Sequence, residues 1–329
     1  MNWRATWGLA LVMVGVFLGA WEGFWRARGF TPSVRDDPGL WSATRMQIPE
    51  NDPEAVAIIG SSRIQIALQP QIVAEASGLE VPTQLGLAMG PSVPVLRHFA
   101  DESEFSGILI TEVNPRLFFQ DTRSLDWVTA AHLHEFRSFD RARALEQAIR
   151  SGLQQHFAFL LPDLEPRHLA AALGRGELPS PQLITVGADR ARTAHFDRLP
   201  ELKTRNLRVK NQRERSKARF LDDAELQKWL AEIETYVSIL QKRGGRVIFV
   251  RPPTSLHILA DERRVVPRER YWDALARGTS ALAIHFDDYP DFRGLRAPDG
   301  EHLEAQDAER FSHGFGRVLG QAVGSRESR

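Results

Sequence analysis

The chain has 329 residues, 43% of them apolar and 26% charged, the proportions of a folded soluble body and not of a disordered, collagen-like or multi-span membrane protein. Forty-two basic residues balance forty-two acidic ones, so no overall charge excess points to a nucleic-acid partner or an acidic substrate. The absence of cysteine excludes disulfides, thiol nucleophiles and cysteine-ligated metal sites, and leaves the redox compartment open.

Residues 5–21 carry no charge, and continuing past Glu22 to Trp25 gives a run of 21 residues. As a helix this run is about 31 Å long at roughly 1.5 Å per residue, enough to cross a hydrocarbon core of about 30 Å. Arg4 precedes it, Trp21, Phe24 and Trp25 supply aromatics for an interface, and Arg26 and Arg28 follow. Residues 1–28 therefore read as a single membrane anchor. A cleaved signal peptide is the competing reading, and the lack of a clear small-x-small site weighs against it. Basic residues on both flanks leave the orientation open. Residues 29–53, rich in Pro, Asp and Ser, read as a tether, which places the folded domain at 54–325.

Residues 55–59 form a short apolar run closed by Gly60, the pattern of a strand buried on both faces of a parallel sheet. A helix is expected at 69–77, stopped by Gly78, then a strand and loop at 83–90, a helix at 93–100 and a strand at 107–113. Late in the chain the alternation returns. Asp222 or Asp223 can cap a helix whose stripe is Leu226, Leu230, Ile233, Val237 and Leu240, ended by Gly244-Gly245. Strands follow at 246–251 and 282–286, with a closing helix at 304–323. Strands alternating with crossover helices predict an α/β domain. Residues 120–220 are polar and mainly helical in pattern and read as an insertion. Their basic run from Arg205 to Arg219 can contact anionic headgroups or an anionic polymer, or can simply be a solvated surface, which we favour.

No phosphate-binding Walker sequence, no dinucleotide fingerprint and no Gly-x-Ser-x-Gly elbow is present. His132 and His134 suggest metal ligation, but side chains two apart on a helix point in opposite directions. What remains is a pair of motifs at opposite ends of the body. Gly60-Ser61-Ser62-Arg63 follows the first strong strand, where parallel sheets place reactive groups. Asp299-Gly300-Glu301-His302 follows the last strand, and its spacing lets Asp299 orient the ring of His302 so that the other ring nitrogen can take a proton from a serine. Serine, histidine and carboxylate are the parts of an acyl-transfer site. Arg63 can steer an anionic substrate or serve in an ion pair.

These blocks resemble those of the SGNH, or GDSL-type, hydrolase superfamily. Ser62 matches its nucleophile, and Asp299 with His302 matches its Asp-x-x-His pair, within the similar stretch Pro298-Asp-Gly-Glu-His-Leu303. The resemblance implies a three-layer, flavodoxin-like parallel sheet and an oxyanion hole, for which Gly90 and Asn114 are the candidate residues. Ser61 in place of the usual aspartate, and Glu112-Val-Asn114-Pro115 in place of Gly-x-Asn-Asp, depart from the pattern. The Gly-Ser-Ser-Arg variant is similar to membrane-anchored bacterial members associated with O-acylation of cell-surface polymers. It implies an esterase or O-acyltransferase with no cofactor, acting on an acyl ester or saccharide outside the cytoplasm from the inner membrane, in company with a membrane acyltransferase. A non-catalytic binding or assembly component with the same shell is the alternative.

Overall fold

The computed structural model describes residues 2–120, 126–198 and 219–327. In chain order its elements are α1 (Trp3–Ala27), α2 (Pro38–Met46), β1 (Val56–Ile59), α3 (Ser62–Ala67), α4 (Pro70–Ser77), β2 (Thr83–Gln84), α5 (Val93–Asp101), β3 (Ile108–Glu112) and α6 (Pro115–Phe118). There follow α7 (Asp126–Arg137), α8 (Arg141–Gln154), α9 (Pro166–Gly174), β4 (Ile184–Val186) and β5 (Arg192–Ala194). The chain then returns to the core with α10 (Asp223–Lys242), β6 (Arg246–Arg251), α11 (Leu256–Val265), α12 (Trp272–Gly278), β7 (Leu282–His285) and α13 (Ala305–Glu327).

Five strands form one parallel sheet in the order β2-β1-β3-β6-β7. Successive side chains leave a strand on opposite faces, so these near-continuous apolar runs feed two cores. Ala57, Ile59, Leu109, Val247 and Phe249 pack under α5 and α10 with Leu96, Phe99, Ile233 and Val237. Val56, Ile58, Ile110 and Ile248 pack on the other face with Ile64, Val73, Phe315 and Leu319 of α3, α4 and α13. Burying a side chain such as Phe315 or Leu319 contributes roughly 1.5–3 kcal/mol. The stripe expected on α10 is buried in full, and Asp222 and Glu225 close a reciprocal capping box at 2.9 Å in each direction.

One expectation is corrected. The segment 29–53 is not a free tether. Asp37 caps α2, accepting the Leu40 N–H at 3.0 Å, and Pro38 opens it. Trp41 is then fully buried and donates its indole N–H to the Leu85 carbonyl at 3.0 Å. Arg45, also buried, lies 4.4 Å over the Phe99 ring and pairs with Glu50 at 2.7 Å. An Asp-Pro helix start has the same composition as a linker, and the apolar Leu40-Trp41 that follows distinguishes the two.

One element of the insertion falls outside its helical pattern. Besides α7, α8 and α9 the insertion holds a two-stranded antiparallel ribbon in which Ile184 pairs with Ala194. Strands of three residues are too short to leave a periodic signal. The basic residues 205–217 lie outside the described residues, while Arg219 pairs with Glu225 at 2.9 Å. His132 donates Nδ1–H to the Val128 carbonyl at 2.7 Å and meets the Trp41 ring edge-on.

Helix α1 is long and apolar enough to cross a membrane, and its apolar run is exposed along most of its length. Its last turns dock on the insertion. Trp25 and Phe30 are buried among Ala158, Leu161 and Leu164. The Glu22 carboxylate accepts the N–H groups of Ala158 and Phe159 at 2.9 and 3.1 Å, and Arg26 donates to the His156 carbonyl at 2.8 Å.

Candidate active site

The carboxyl-terminal ends of β1 and β3, and the loops after β6 and β7, converge on one point. β1 ends at Gly60, whose φ of +153° and crowding by Glu112 and Ile64 admit no Cβ. The chain turns there into α3, capped by Ser61, whose Oγ accepts the Arg63 N–H at 3.2 Å. The next residue, Ser62, is half-buried, and its Oγ lies 2.9 Å from Nε2 of His302.

His302 is held from behind. Its Nδ1 is 2.7 Å from Asp299 Oδ2, while Asp299 Oδ1 accepts the backbone N–H groups of Glu301 and His302 at 2.9 and 2.8 Å. With Nδ1–H donated to the carboxylate, Nε2 is the acceptor facing the serine hydroxyl. The loop is itself fastened. Ser255 Oγ donates to the Ala297 carbonyl at 2.8 Å and accepts the Ala297 N–H at 3.1 Å, and the Gly300 carbonyl accepts the Ser255 N–H at 3.1 Å. Burial works to lower the His302 pKa, but the Asp299 carboxylate, with Glu301, outweighs it and leaves it above the ordinary imidazole value. Burial raises the Asp299 pKa, and the His302 ring together with the two N–H donors brings it below the usual aspartate range.

Beneath the serines lies a buried charged network. Arg63 is buried and pairs with Glu262 at 3.0 Å, with Glu301 at 3.7 Å. Glu262 also pairs with the buried Arg251 and accepts the Thr254 hydroxyl at 3.2 Å. Arg63 is thus an internal strut between α3 and the His302 loop, not a surface group steering substrate. Glu112, at the end of β3, accepts the Ser61 N–H with Oε2. Its burial pushes the carboxyl pKa up, opposed by that N–H and by Arg63.

The two oxyanion candidates differ. Asn114 caps α6, accepting the Arg116 N–H at 3.3 Å, and its Nδ2 lies 3.4 Å from Ser61 Oγ, beside the serine pair. The Gly90 N–H is engaged by the Leu87 carbonyl at 2.9 Å. The loop after β2 runs beside the Ser61-Ser62 turn through a parallel bridge between Ser61 and Leu87, and Gly86 is the glycine that borders Ser61.

Arg190, in the turn of the insertion ribbon, gives no sign of a role in the sequence. Fully buried, it donates to the Gln84 carbonyl at 2.7 Å and the Gly86 carbonyl at 2.9 Å, and pairs with Asp36 at 2.8 Å. Gln65 of α3 donates to both Asp36 and the Arg190 carbonyl, at 2.8 and 3.0 Å. The insertion therefore reaches the loop that flanks the serines.

Cavities also lie away from the Ser62, His302 and Asp299 side chains, and two of them border the core helices and the buried network. One, of about 520 Å³, sits between α5, α7 and α10 and is lined by Val93, Leu133, Trp229 and Tyr236. The other, of about 290 Å³, opens past β3, β6 and β7 and shares Arg251 and Glu262 with the buried network. Its His285 is held neutral, its pKa pushed down to about 2 by burial and by Arg251, Arg268 and Arg263. Among the described residues no group of three or more His, Asp or Glu side chains is placed to hold a metal ion. No protein-family model and no curated protein matches the chain.

Proposed function

We propose that this protein is a membrane-anchored serine enzyme of SGNH type, an esterase or O-acyltransferase acting on an acyl ester of a cell-envelope saccharide or related substrate. The observation that carries this reading is the hydrogen-bonded relay from Ser62 through His302 to Asp299, with links of 2.9 and 2.7 Å. The strand order, which amounts to 2-1-3-4-5 along the sheet, supports it as the order of flavodoxin-like doubly wound folds, which take ligands at the carboxyl ends of their strands.

In the proposed reaction His302 Nε2 removes the Ser62 proton as Oγ attacks the ester carbonyl. The tetrahedral oxyanion is met by the Asn114 amide. Collapse breaks the bond to the alcohol, which leaves with the proton held by the imidazolium, and Ser62 carries the acyl group. Water or a sugar hydroxyl then attacks, giving its proton to His302, and Ser62 regains its hydroxyl as the acid or the new ester departs. Asp299 stays ionised throughout and stabilises the imidazolium. Whether the acceptor is water or a saccharide depends on the walls built by the insertion, not on the relay.

The apolar helix α1 supports an uncleaved anchor, because its last turns are built into the fold through Glu22 and Trp25. We place the body outside the cytoplasm, tied to the inner membrane, with a membrane acyltransferase as the partner that supplies acyl groups. One observation favours the alternative, a non-catalytic binding component. The Gly90 N–H is already engaged by Leu87, and an oxyanion hole short of a donor turns over slowly. Hydrolysis of a short-chain aryl acetate by the intact chain tests the proposal. Turnover should vanish in Ser62→Ala and His302→Ala and persist in Ser61→Ala. Turnover retained in the first two variants overturns the triad, and loss in Ser61→Ala with retention in Ser62→Ala moves the nucleophile by one residue.

A further inference from the structure

Helix α8 has its polar and apolar faces exchanged. The side chains it buries against the body are Gln147, Ser151 and Gln154. Leu145, Ile149 and Leu153, one turn apart along the opposite face, are 64, 58 and 48% exposed. A helix packed on a soluble body turns the apolar stripe inward. Here the inward polar groups are satisfied, which fixes the orientation. Gln147 donates to Ser151 Oγ at 3.0 Å, and Gln154 accepts the Arg35 N–H at 3.0 Å.

The exposed stripe does not end with the helix. Phe157, exposed one turn after Leu153, has its ring 5.4 Å from that of Phe159. Phe159 packs on the cluster of Trp25, Phe30 and Leu161 that also touches Trp21. Apolar side chains thus lead from the end of α8, by way of Phe157 and Phe159, to the foot of α1, at the turns whose aromatics suit a membrane interface. Arg141 stands one turn before Leu145 and is exposed, and the Arg28 guanidinium lies 4.6 Å over the Phe24 ring. Both are cations placed for anionic lipid headgroups.

We infer that α8 is an interfacial helix, laying Leu145, Ile149 and Leu153 into the boundary between headgroups and acyl chains of the leaflet from which α1 emerges. The inference rests on reading α1 as a retained anchor. Continuity with α1 selects the bilayer as the occupant, because a surface that adjoins the point of membrane exit meets lipid first. Two contacts, one spanning and one lying in the plane, then hold the body at a set height and tilt.

Because the chain has no cysteine, single cysteines can be placed and labelled without background. Val14→Cys, Ile149→Cys and Lys242→Cys, each carrying an environment-sensitive fluorophore, are reconstituted as the intact chain in vesicles of phosphatidylcholine and phosphatidylglycerol. Quenching is then measured with brominated phosphatidylcholine. The labels at Val14 and Ile149 should lose emission, as expected for apolar burial at these depths, and the label at Lys242 should be unaffected. Adding Leu145→Ser and Leu153→Ser should bring the Ile149 label toward the Lys242 level; undiminished quenching there means that the fluorophore inserts by itself, and overturns the inference. Quenching at Val14 without quenching at Ile149 overturns it while leaving the anchor in place, including the case in which another protein covers the stripe. A Val14 label that is not quenched removes the anchor, and the inference with it.

Discussion

Asp299 grips His302 with both oxygens, one on the ring Nδ1 at 2.7 Å and the other on the same residue's backbone N–H at 2.8 Å. The carboxylate therefore sets the ring's position and its tautomer together, and outweighs the burial that works to lower the His302 pKa. His302 must be neutral to act as base. Activity should therefore rise with pH through a midpoint above the unperturbed imidazole value of about 6.5. In Asp299→Asn the charge is gone and burial remains, so the midpoint should fall below that value, and kcat should drop by roughly 10³- to 10⁴-fold. The pH profile of kcat/KM for an aryl acetate measures both. The linked stability has a definite sign: a histidine whose folded pKa is raised contributes below about pH 6.5 and loses that contribution as pH rises through the folded value.

Asp36 and Arg190 tie the amino-terminal segment, the insertion and the loop after β2 into one buried cluster. Burial opposes ionisation of Asp36, but Arg190 and Arg192 bring its pKa down to about 2. Against an ordinary value of 3.8 this contributes roughly 2 kcal/mol of stability, present above pH 4 and lost as pH falls toward 2. Asp36→Asn leaves Arg190 buried without its counter-charge and should cost roughly 3–5 kcal/mol at pH 7. Urea unfolding should show the gap between wild type and variant narrowing by roughly 2 kcal/mol between pH 4 and pH 2. Arg190→Lys keeps the charge but cannot span the Gln84 and Gly86 carbonyls together. It should lower kcat more than it raises KM if the loop it holds serves the reaction.

Glu112 holds the Ser61-Ser62 turn through the Ser61 N–H. Glutamine preserves shape and an acceptor, so Glu112→Gln should fold with a stability within about 1.5 kcal/mol of wild type. Alanine strands a buried N–H and opens a cavity, and Glu112→Ala should cost roughly 2–4 kcal/mol. Chemical denaturation compares the three, and labelling of Ser62 by a serine-directed probe should weaken in the alanine variant alone.

Trp25 is the plug that joins α1 to the insertion. Trp25→Ala should cost roughly 3–5 kcal/mol locally, which hydrogen exchange reads as faster exchange at Ala158 and Phe159, whose N–H groups Glu22 caps. The sheet core should keep its protection, because the two apolar clusters beside the sheet contain neither residue.

The parts of this molecule that could be read from its sequence are those governed by short-range pattern. Val56–Ile59 and Arg246–Arg251 are strands because their apolar runs feed two covered faces. The stripe from Leu226 to Leu240 repeats with the helical period. Asp299 and His302 could be paired because three positions separate them. Contacts between distant positions left no such mark. Arg190 reaches the Gly86 carbonyl across 104 positions, and Glu22 reaches Ala158 across 136. Gly86 borders Ser61 because strand register, which a motif does not encode, decides which residue of the loop lies there. The helix at Pro38–Met46 was hidden because an Asp-Pro start and a linker share their composition.

The most direct test is to treat the intact chain with a fluorophosphonate and locate the adduct by peptide mass spectrometry. One dominant adduct should form on Ser62, at a rate that falls at least about 100-fold in His302→Ala, in line with the usual contribution of a general base. A well-folded protein that leaves Ser62 unmodified, or one whose Ser62 reacts equally fast without His302, would contradict the proposed triad.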